Sequence, residues 1–406
     1  KITLLTAAFM LSLVSVAQQK VLTLEQAVLR QYADFRPQTL ANFSWNANTS
    51  AYTYTEGDSI VEVSISSGLP KTIMTLELLN HILSADSIPA MKRMAYTWAS
   101  DNVIRVFSSP YMAFVDVGAR KITRSYTIPK AAENLELSPN NTRLAYTVSN
   151  NLYVTDALGS PIAITDDENP GIVNGHAVHR NEFGINQGIF WSPNSSYLAY
   201  YRMDETMVTD YPLVDITQRI ASVEPVKYPM AGMKSHEVTL RVYNLSTHSN
   251  IEIKTGLPAE QYLTCVTWSP DENSIFIATL NREQNHMRLN RYSVQTGELM
   301  ATLFEETDSE YVEPQQPLVF LDDNSGRFIW QSRRDGWNHL YLYDVNGKLL
   351  RQLTRGEWEV TNINAIDLTS GKIYITSTCE SPIERHVYAV DIKKDNVTRL
   401  TQGAGF

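Results

Sequence analysis

In the stretch "VHRNEFGINQGIFWSPN", Val178 to Asn194, a base, a guanidinium, an amide and a carboxylate (His179, Arg180, Asn181 and Glu182) stand side by side just ahead of an apolar run. The chemistry open to Glu182 is that of an anionic acceptor: a protonated amine held by carboxylate oxygens forms charge-assisted hydrogen bonds, stronger than neutral ones. The competing reading is a salt bridge to Arg180 or a plain solvated carboxylate. Bond-making groups are not apparent. No Gly-x-Ser-x-Gly elbow occurs to expose a nucleophilic serine, so no catalytic residue is assigned. His236-Glu237 opens like a zinc-protease motif but lacks the second histidine, and no glycine-rich cradle follows a strand, so neither metal nor cofactor is expected. The acidic runs Asp166 to Glu168 and Glu305-Glu306 read as solvated loop charges. Arg333-Arg334-Asp335 reads as a loop and turn, with Asp335-Gly336 closing a hairpin and Trp337 packing beneath it.

The elements that must position these residues are short strands. Three segments repeat an apolar run, Ser-Pro-Asn/Asp and a second apolar run: "LELSPNNTRLAYTV" from Leu135, "IFWSPNSSYLAYYR" from Ile189 and "VTWSPDENSIFIATL" from Val266. Proline fixes one turn torsion and the Asn or Asp after it tolerates the next, so each segment reads as a hairpin. Weaker copies start at Phe43, Leu318, Ala365 and near Lys92. The prolines at 139, 193 and 270 lie 54 and 77 residues apart, about one propeller blade plus insertions. An all-β propeller of four-stranded blades follows, because each blade must bury its faces on its neighbours. A β-sandwich array and an open solenoid are the rival architectures. The longest departure from the repeat falls between Ala157 and Phe190 and predicts an excursion at one end of a blade, carrying Glu182. One helix is expected, Thr23 to Arg30, with Thr23 as cap and Gln26 three residues on.

Composition narrows the partners. Forty-four acidic against 34 basic residues give a net charge of -10, which excludes a nucleic-acid footprint and favours cationic partners such as a peptide amino terminus. Residues 1–17 combine a basic residue, an apolar run and Ser15-Val16-Ala17. They read as a cleavable signal peptide, implying export to the periplasm, cell surface or medium, with an uncleaved anchor as the alternative. Residues 18–40 then form a lead-in and 41–406 the propeller. The two cysteines, Cys265 and Cys379, read as buried thiols rather than a disulfide framework.

"NGHAVHRNEF", "FWSPNSSYLAYYRMDET", "YPMAG" at Tyr228 to Gly232 and "QSRRDGWNHLYLYDVNGKLLRQLTRGEWEV" at Gln331 to Val360, in that order, resemble the amino-terminal domain of the dipeptidyl peptidase IV family of serine peptidases. The similarity is greatest to its bacterial prolyl tripeptidyl aminopeptidase branch. The resemblance implies an eight-bladed propeller, here stopping before the last blade, and an α/β-hydrolase catalytic domain absent from this chain. It also implies peptide substrates with a free amino terminus and a nearby proline, and a homodimer as a further expectation. In the dipeptidyl members a Glu-Glu pair grips the amino terminus. Asn181 and Glu182 match that pair, so only the second carboxylate is kept, which sets dipeptide against tripeptide release. Arg105 matches an arginine that holds a substrate carbonyl. Two other functions remain open: a secreted propeller acting only as a binding or scaffold module, and an acylaminoacyl peptidase or oligopeptidase relative.

Overall fold

The computed structural model describes residues 21–36, 39–46, 50–156, 158–321 and 326–403, so the signal segment expected over 1–17 lies outside the described residues. The chain divides into two compact units, Lys1–Tyr126 and Thr127–Phe406.

The first unit opens with the expected helix, Leu24–Val28. The Thr23 hydroxyl accepts from the Gln26 backbone N–H while the Gln26 side chain accepts from the Thr23 N–H, a complete capping box. Two four-stranded antiparallel sheets follow, each with its strands in sequence order: Ala41–Asn46, Ala51–Glu56, Ser59–Ser64 and Pro70–Thr75, then Thr97–Ser100, Val103–Ser108, Tyr111–Asp116 and Lys121–Thr127. Between them lies a helix, Leu76–Ala85, that the strand-based reading passed over. Its signals are ordinary. Thr75 caps it, and Leu79, Ile82 and Leu83 recur at helical spacing and are buried, packing with Ile60, Ile104 and Val115.

The second unit carries five more such sheets, spanning residues 132–163, 172–252, 262–307, 319–352 and 360–399. All five are antiparallel up-and-down arrangements, and all the sequence copies, strong and weak, fall on sheets. The three Ser-Pro segments join a first strand to a second, as expected, but the torsions differ from the sequence reading. The left-handed residue is the one after the Asn or Asp: Asn141, Ser195 and Glu272 have φ of 58°, 63° and 60°. The serine fixes the turn. Ser192 Oγ accepts the backbone N–H groups of Ser196 at 3.1 Å and Tyr197 at 2.9 Å; Ser138 Oγ likewise accepts from Thr142 and Arg143, and Ser269 Oγ from Ser274 alone. Successive turns are also bonded to each other. The Asn140 N–H donates to Ser195 Oγ at 3.2 Å, and the Asn194 N–H donates to Glu272 Oε1 at 2.6 Å.

The fourth sheet departs from the pattern twice. Its first strand is in two pieces, Ile172–Asn174 and Ile189–Trp191, both paired with Tyr197–Asp204. The excursion expected between Ala157 and Phe190 is thus narrower, residues 175–188, and interrupts a strand rather than capping a blade. The longest insertion is instead 205–236, between Tyr197–Asp204 and Glu237–Asn244, and contains a two-stranded ribbon of Asp210–Asp215 and Ser222–Lys227. Among the described residues no helix is long and apolar enough to cross a membrane.

Because Ser192 is fully buried, Ser192→Ala leaves two N–H groups without their acceptor. Its expected cost is about 1–3 kcal/mol, seen as a lower midpoint in urea unfolding with an unchanged slope.

Candidate functional site

Both ends of the 175–188 excursion close on one residue. The Gly175 N–H donates to Tyr201 O at 2.8 Å, and the Tyr201 N–H donates to Gly188 O at 3.0 Å. The neck has no room for side chains, since a Cβ on Gly188 would stand 2.0 Å from His176 O. A compact loop with closed ends is the geometry in which surface residues are held without a strand beneath them. Three loop side chains anchor it: Val178 and Ile185 pack with Tyr201, Leu240 and Leu263, and Phe183 packs with Tyr262 and Phe276. Thr264 Oγ1 adds a 2.7 Å hydrogen bond to Phe183 O.

Between the anchors the backbone is left-handed. His179, Arg180 and Asn181 have φ of 53°, 56° and 63°, and the turn closes through Asn181 N–H to Val178 O at 3.2 Å and Glu182 N–H to His179 O at 3.0 Å. Non-glycine residues pay about 1–2 kcal/mol each for this conformation, so consecutive ones persist only where the surroundings over-determine them. The consequence is a division of side chains: His179 and Phe183 are buried, while Arg180, Asn181 and Glu182 are exposed. Arg180 does not pair with Glu182. Its guanidinium carbon lies over the Tyr228 ring, 5.0 Å from the centroid, and Glu182 has no ion-pair partner among the described residues.

The buried end of the turn was missed in the sequence. His179 Nδ1 is 3.0 Å from His236 Nε2, and His179 Nε2 accepts the Leu263 N–H at 3.3 Å. The Leu263 carbonyl accepts the Tyr201 hydroxyl at 2.8 Å, so one residue ties the loop's neck to its tip. Burial pushes the His179 imidazole well below its ordinary range, helped by His236 and the Arg282 guanidinium. Burial, with Arg180 and Arg282 adding to it and Glu260 opposing, lowers His236 to about 4. The zinc-like opening His236-Glu237 therefore belongs to a neutral histidine pair, and no cluster fit to hold a metal ion occurs among the described residues.

Arg105 lies in the first unit, on the strand Val103–Ser108, where its Nε donates to Thr97 Oγ1 at 3.0 Å on the neighbouring strand. Asn181 and Glu182 are adjacent on the turn of the second. In the acidic runs Asp166, Glu168 and Glu305 are exposed as expected, whereas Asp167 and Glu306 are half-buried and engaged. Glu306 accepts from Trp330 Nε1 and Ser332 Oγ, both at 2.8 Å, and pairs with Arg334 on the wall of a pocket of about 280 Å³. Asp167 holds Asn174 at 2.9 Å and Arg202 at 3.2 Å. Arg333 to Gly336 form the expected turn, but Trp337 is 39% exposed rather than packed beneath it. Both cysteines are free, and Cys379, just past a strand, is exposed while Cys265 is buried.

Antiparallel four-stranded sheets repeated in this way define a β-propeller region. Residues 89–405 match the family model "Dipeptidyl peptidase IV (DPP IV) N-terminal region", and the chain belongs to that family. Dipeptidyl peptidase 4 of Arthroderma otae is 31% identical over 279 residues, covering 65% of this chain and 36% of the relative. A solved Bacteroides ovatus protein, assigned as a dipeptidyl aminopeptidase IV, aligns with a TM-score of 0.82 and 34% identity over 89% of this chain and 53% of its own. Porphyromonas gingivalis dipeptidyl peptidase 4 shares the fold, with a TM-score of 0.77 at 23% identity over 95% of this chain and 56% of its own. The chain thus spans about a third of the curated relative and about half of each solved one.

The histidine pair sets a pH dependence of stability. An imidazole held neutral in the fold and ordinary when unfolded lets the unfolded state bind more protons between about 6.5 and 4, so stability falls as pH falls through that window. The His236 share amounts to roughly 3 kcal/mol at the acid end. Denaturation midpoints from pH 7 to pH 4 should show this slope, and His236→Gln should flatten it.

Proposed function

We propose that this chain is the amino-terminal propeller region of an exported, proline-specific serine exopeptidase, and that Glu182 anchors the free amino terminus of the peptide. The observation that carries the reading is an exposed carboxylate with no ion-pair partner among the described residues, presented by a strained and internally braced turn within a dipeptidyl peptidase IV N-terminal region. A protonated terminus brings N–H donors to the carboxylate, and the charge on both sides makes those bonds the stronger kind. Fixing that end of the peptide determines which bond reaches a nucleophile, so this region supplies positioning rather than bond-making. The serine, its partners and an eighth blade belong to the same proposal, on a hydrolase-bearing polypeptide of which this chain is one part. A homodimer is carried with it.

Asn181 sharpens the substrate. Where two carboxylates would give two anionic acceptors, this turn offers one carboxylate and one amide, whose carbonyl is a neutral acceptor. That combination favours tripeptide over dipeptide release, since an amino terminus held with less charge tolerates a different placement. Arg105 is proposed separately to hold a substrate carbonyl with the terminal nitrogens of its fork, its Nε being engaged by Thr97 Oγ1.

In the full-length peptidase, Glu182→Gln should lower kcat/KM on peptides with a free amino terminus about tenfold to a hundredfold, the range expected for losing a charged hydrogen bond. Steady-state kinetics on matched free and amino-acylated proline peptides checks this. Equal cleavage of both by the parent enzyme would point instead to an acylaminoacyl peptidase or oligopeptidase.

A further inference from the structure

We propose that His236 is a positioning residue for the Glu182 carboxylate, acting through the His179 ring. The inference rests on the reading of Glu182 as an amine anchor and adds the part of the molecule that keeps that anchor in place.

The hydrogen inventory at the pair leaves one neutral arrangement. Leu263 N–H donates to His179 Nε2, so that nitrogen is an acceptor and the proton of the neutral ring is on Nδ1. His179 Nδ1–H then donates across 3.0 Å to His236 Nε2, which must carry its lone pair there, leaving the His236 proton on its own Nδ1. Both tautomers are thus set by one main-chain donor, bonded directly to His179 and, through that ring, to His236. The rings lie with centroids 5.0 Å apart, and the edge of Tyr262 closes the other side of His179 at the same distance.

His236 is the last residue of the 205–236 insertion, immediately before the strand Glu237–Asn244. Tyr228, on which Arg180 lies, belongs to the same insertion. The left-handed turn is therefore gripped from one insertion at two points, one on each of its first two residues, and Glu182 follows directly. The charged and titratable groups facing the pair are Arg180 and Arg282, the opposing Glu260, and the Tyr262 hydroxyl, which accepts from Arg282 Nη1 at 2.7 Å. A proton added to His236 would set Nε2–H against His179 Nδ1–H and place a cation beside two guanidiniums. Relief requires either breaking the pair or moving the His179 proton to Nε2 and losing the Leu263 N–H bond, and each loosens the hold on the turn.

The test compares His236→Leu, His236→Gln and Glu182→Gln in the full-length peptidase on a proline peptide with a free amino terminus. Glutamine keeps a side-chain oxygen to accept from His179 Nδ1–H, whereas leucine keeps bulk alone. Leucine is expected to raise KM about tenfold with kcat within about twofold, the signature of lost binding rather than lost chemistry. Glutamine is expected to return KM to within about threefold of the parent. KM of the parent should also climb more steeply than that of the glutamine variant as pH falls from 6 toward 4.5. An unchanged KM in the leucine variant overturns the proposal, as does a loss confined to kcat. If leucine prevents folding, the acid limb decides alone, and equal slopes in parent and glutamine variant overturn it. A Glu182→Gln enzyme with parental KM removes the anchor and this inference together. A raised KM there with no effect at His236 removes only the positioning role.

Discussion

The candidate site depends on the way Tyr201 closes the chain upon itself. A strand residue has one backbone donor and one acceptor, and here the two serve opposite ends of the same excursion, Gly188 and Gly175. Closing a loop this tightly costs conformational entropy whether or not the loop does anything. What the closure makes available is a tip whose position is referred to the sheet rather than to solvent. Tyr201 extends the reference inward, because its buried hydroxyl bonds the Leu263 carbonyl and the N–H of Leu263 bonds His179. Neck and tip are thereby fixed to one residue of the neighbouring sheet, Leu263.

The same economy governs the blades of the second unit. Each Ser-Pro turn buries a hydroxyl that accepts at least one N–H of its own reversal, and two of the turns reach on to the next. A blade has apolar faces that a neighbour must cover, but apolar contact is non-directional and would let adjacent sheets slide. Bonds from Asn140 to Ser195 and from Asn194 to Glu272 set the register that the apolar contacts leave undefined.

Much of this was legible as pattern. The Ser-Pro repeat, the Thr23 cap and the strand character of the weak copies follow from local rules that act over a few residues, and the sheets stand where those rules place them. The helix Leu76–Ala85 was equally legible from its cap and its apolar spacing, and was overlooked because a repeat of strands had already been adopted for the region. Other features were not local. His179 and His236 are 57 residues apart, and His179 and Leu263 are 84 apart, so neither partnership leaves a mark at its own position. Glu306 looked solvated for the same reason: the groups that satisfy it, Trp330, Ser332 and Arg334, come from the next sheet. Glu182 itself was found through its chemistry and its resemblance, whereas the left-handed backbone that presents it follows from buried neighbours that no window around it contains.

A single carboxylate makes the bracing around it more consequential than a pair would. An exposed ion pair in water contributes little, because solvent screens the charges and the side chains lose freedom in meeting. Two acceptors could share that cost and tolerate some motion, since either can hold the ligand while the other adjusts. One acceptor cannot, so its net contribution depends on how much ordering has been completed before the ligand arrives. In this protein the ordering is completed in the fold: three left-handed residues, a glycine neck and a neutral histidine pair hold the backbone of Glu182 with its side chain in solvent. The strain of the turn is an unfavourable term that persists because the buried neighbours on either side of it over-determine the backbone.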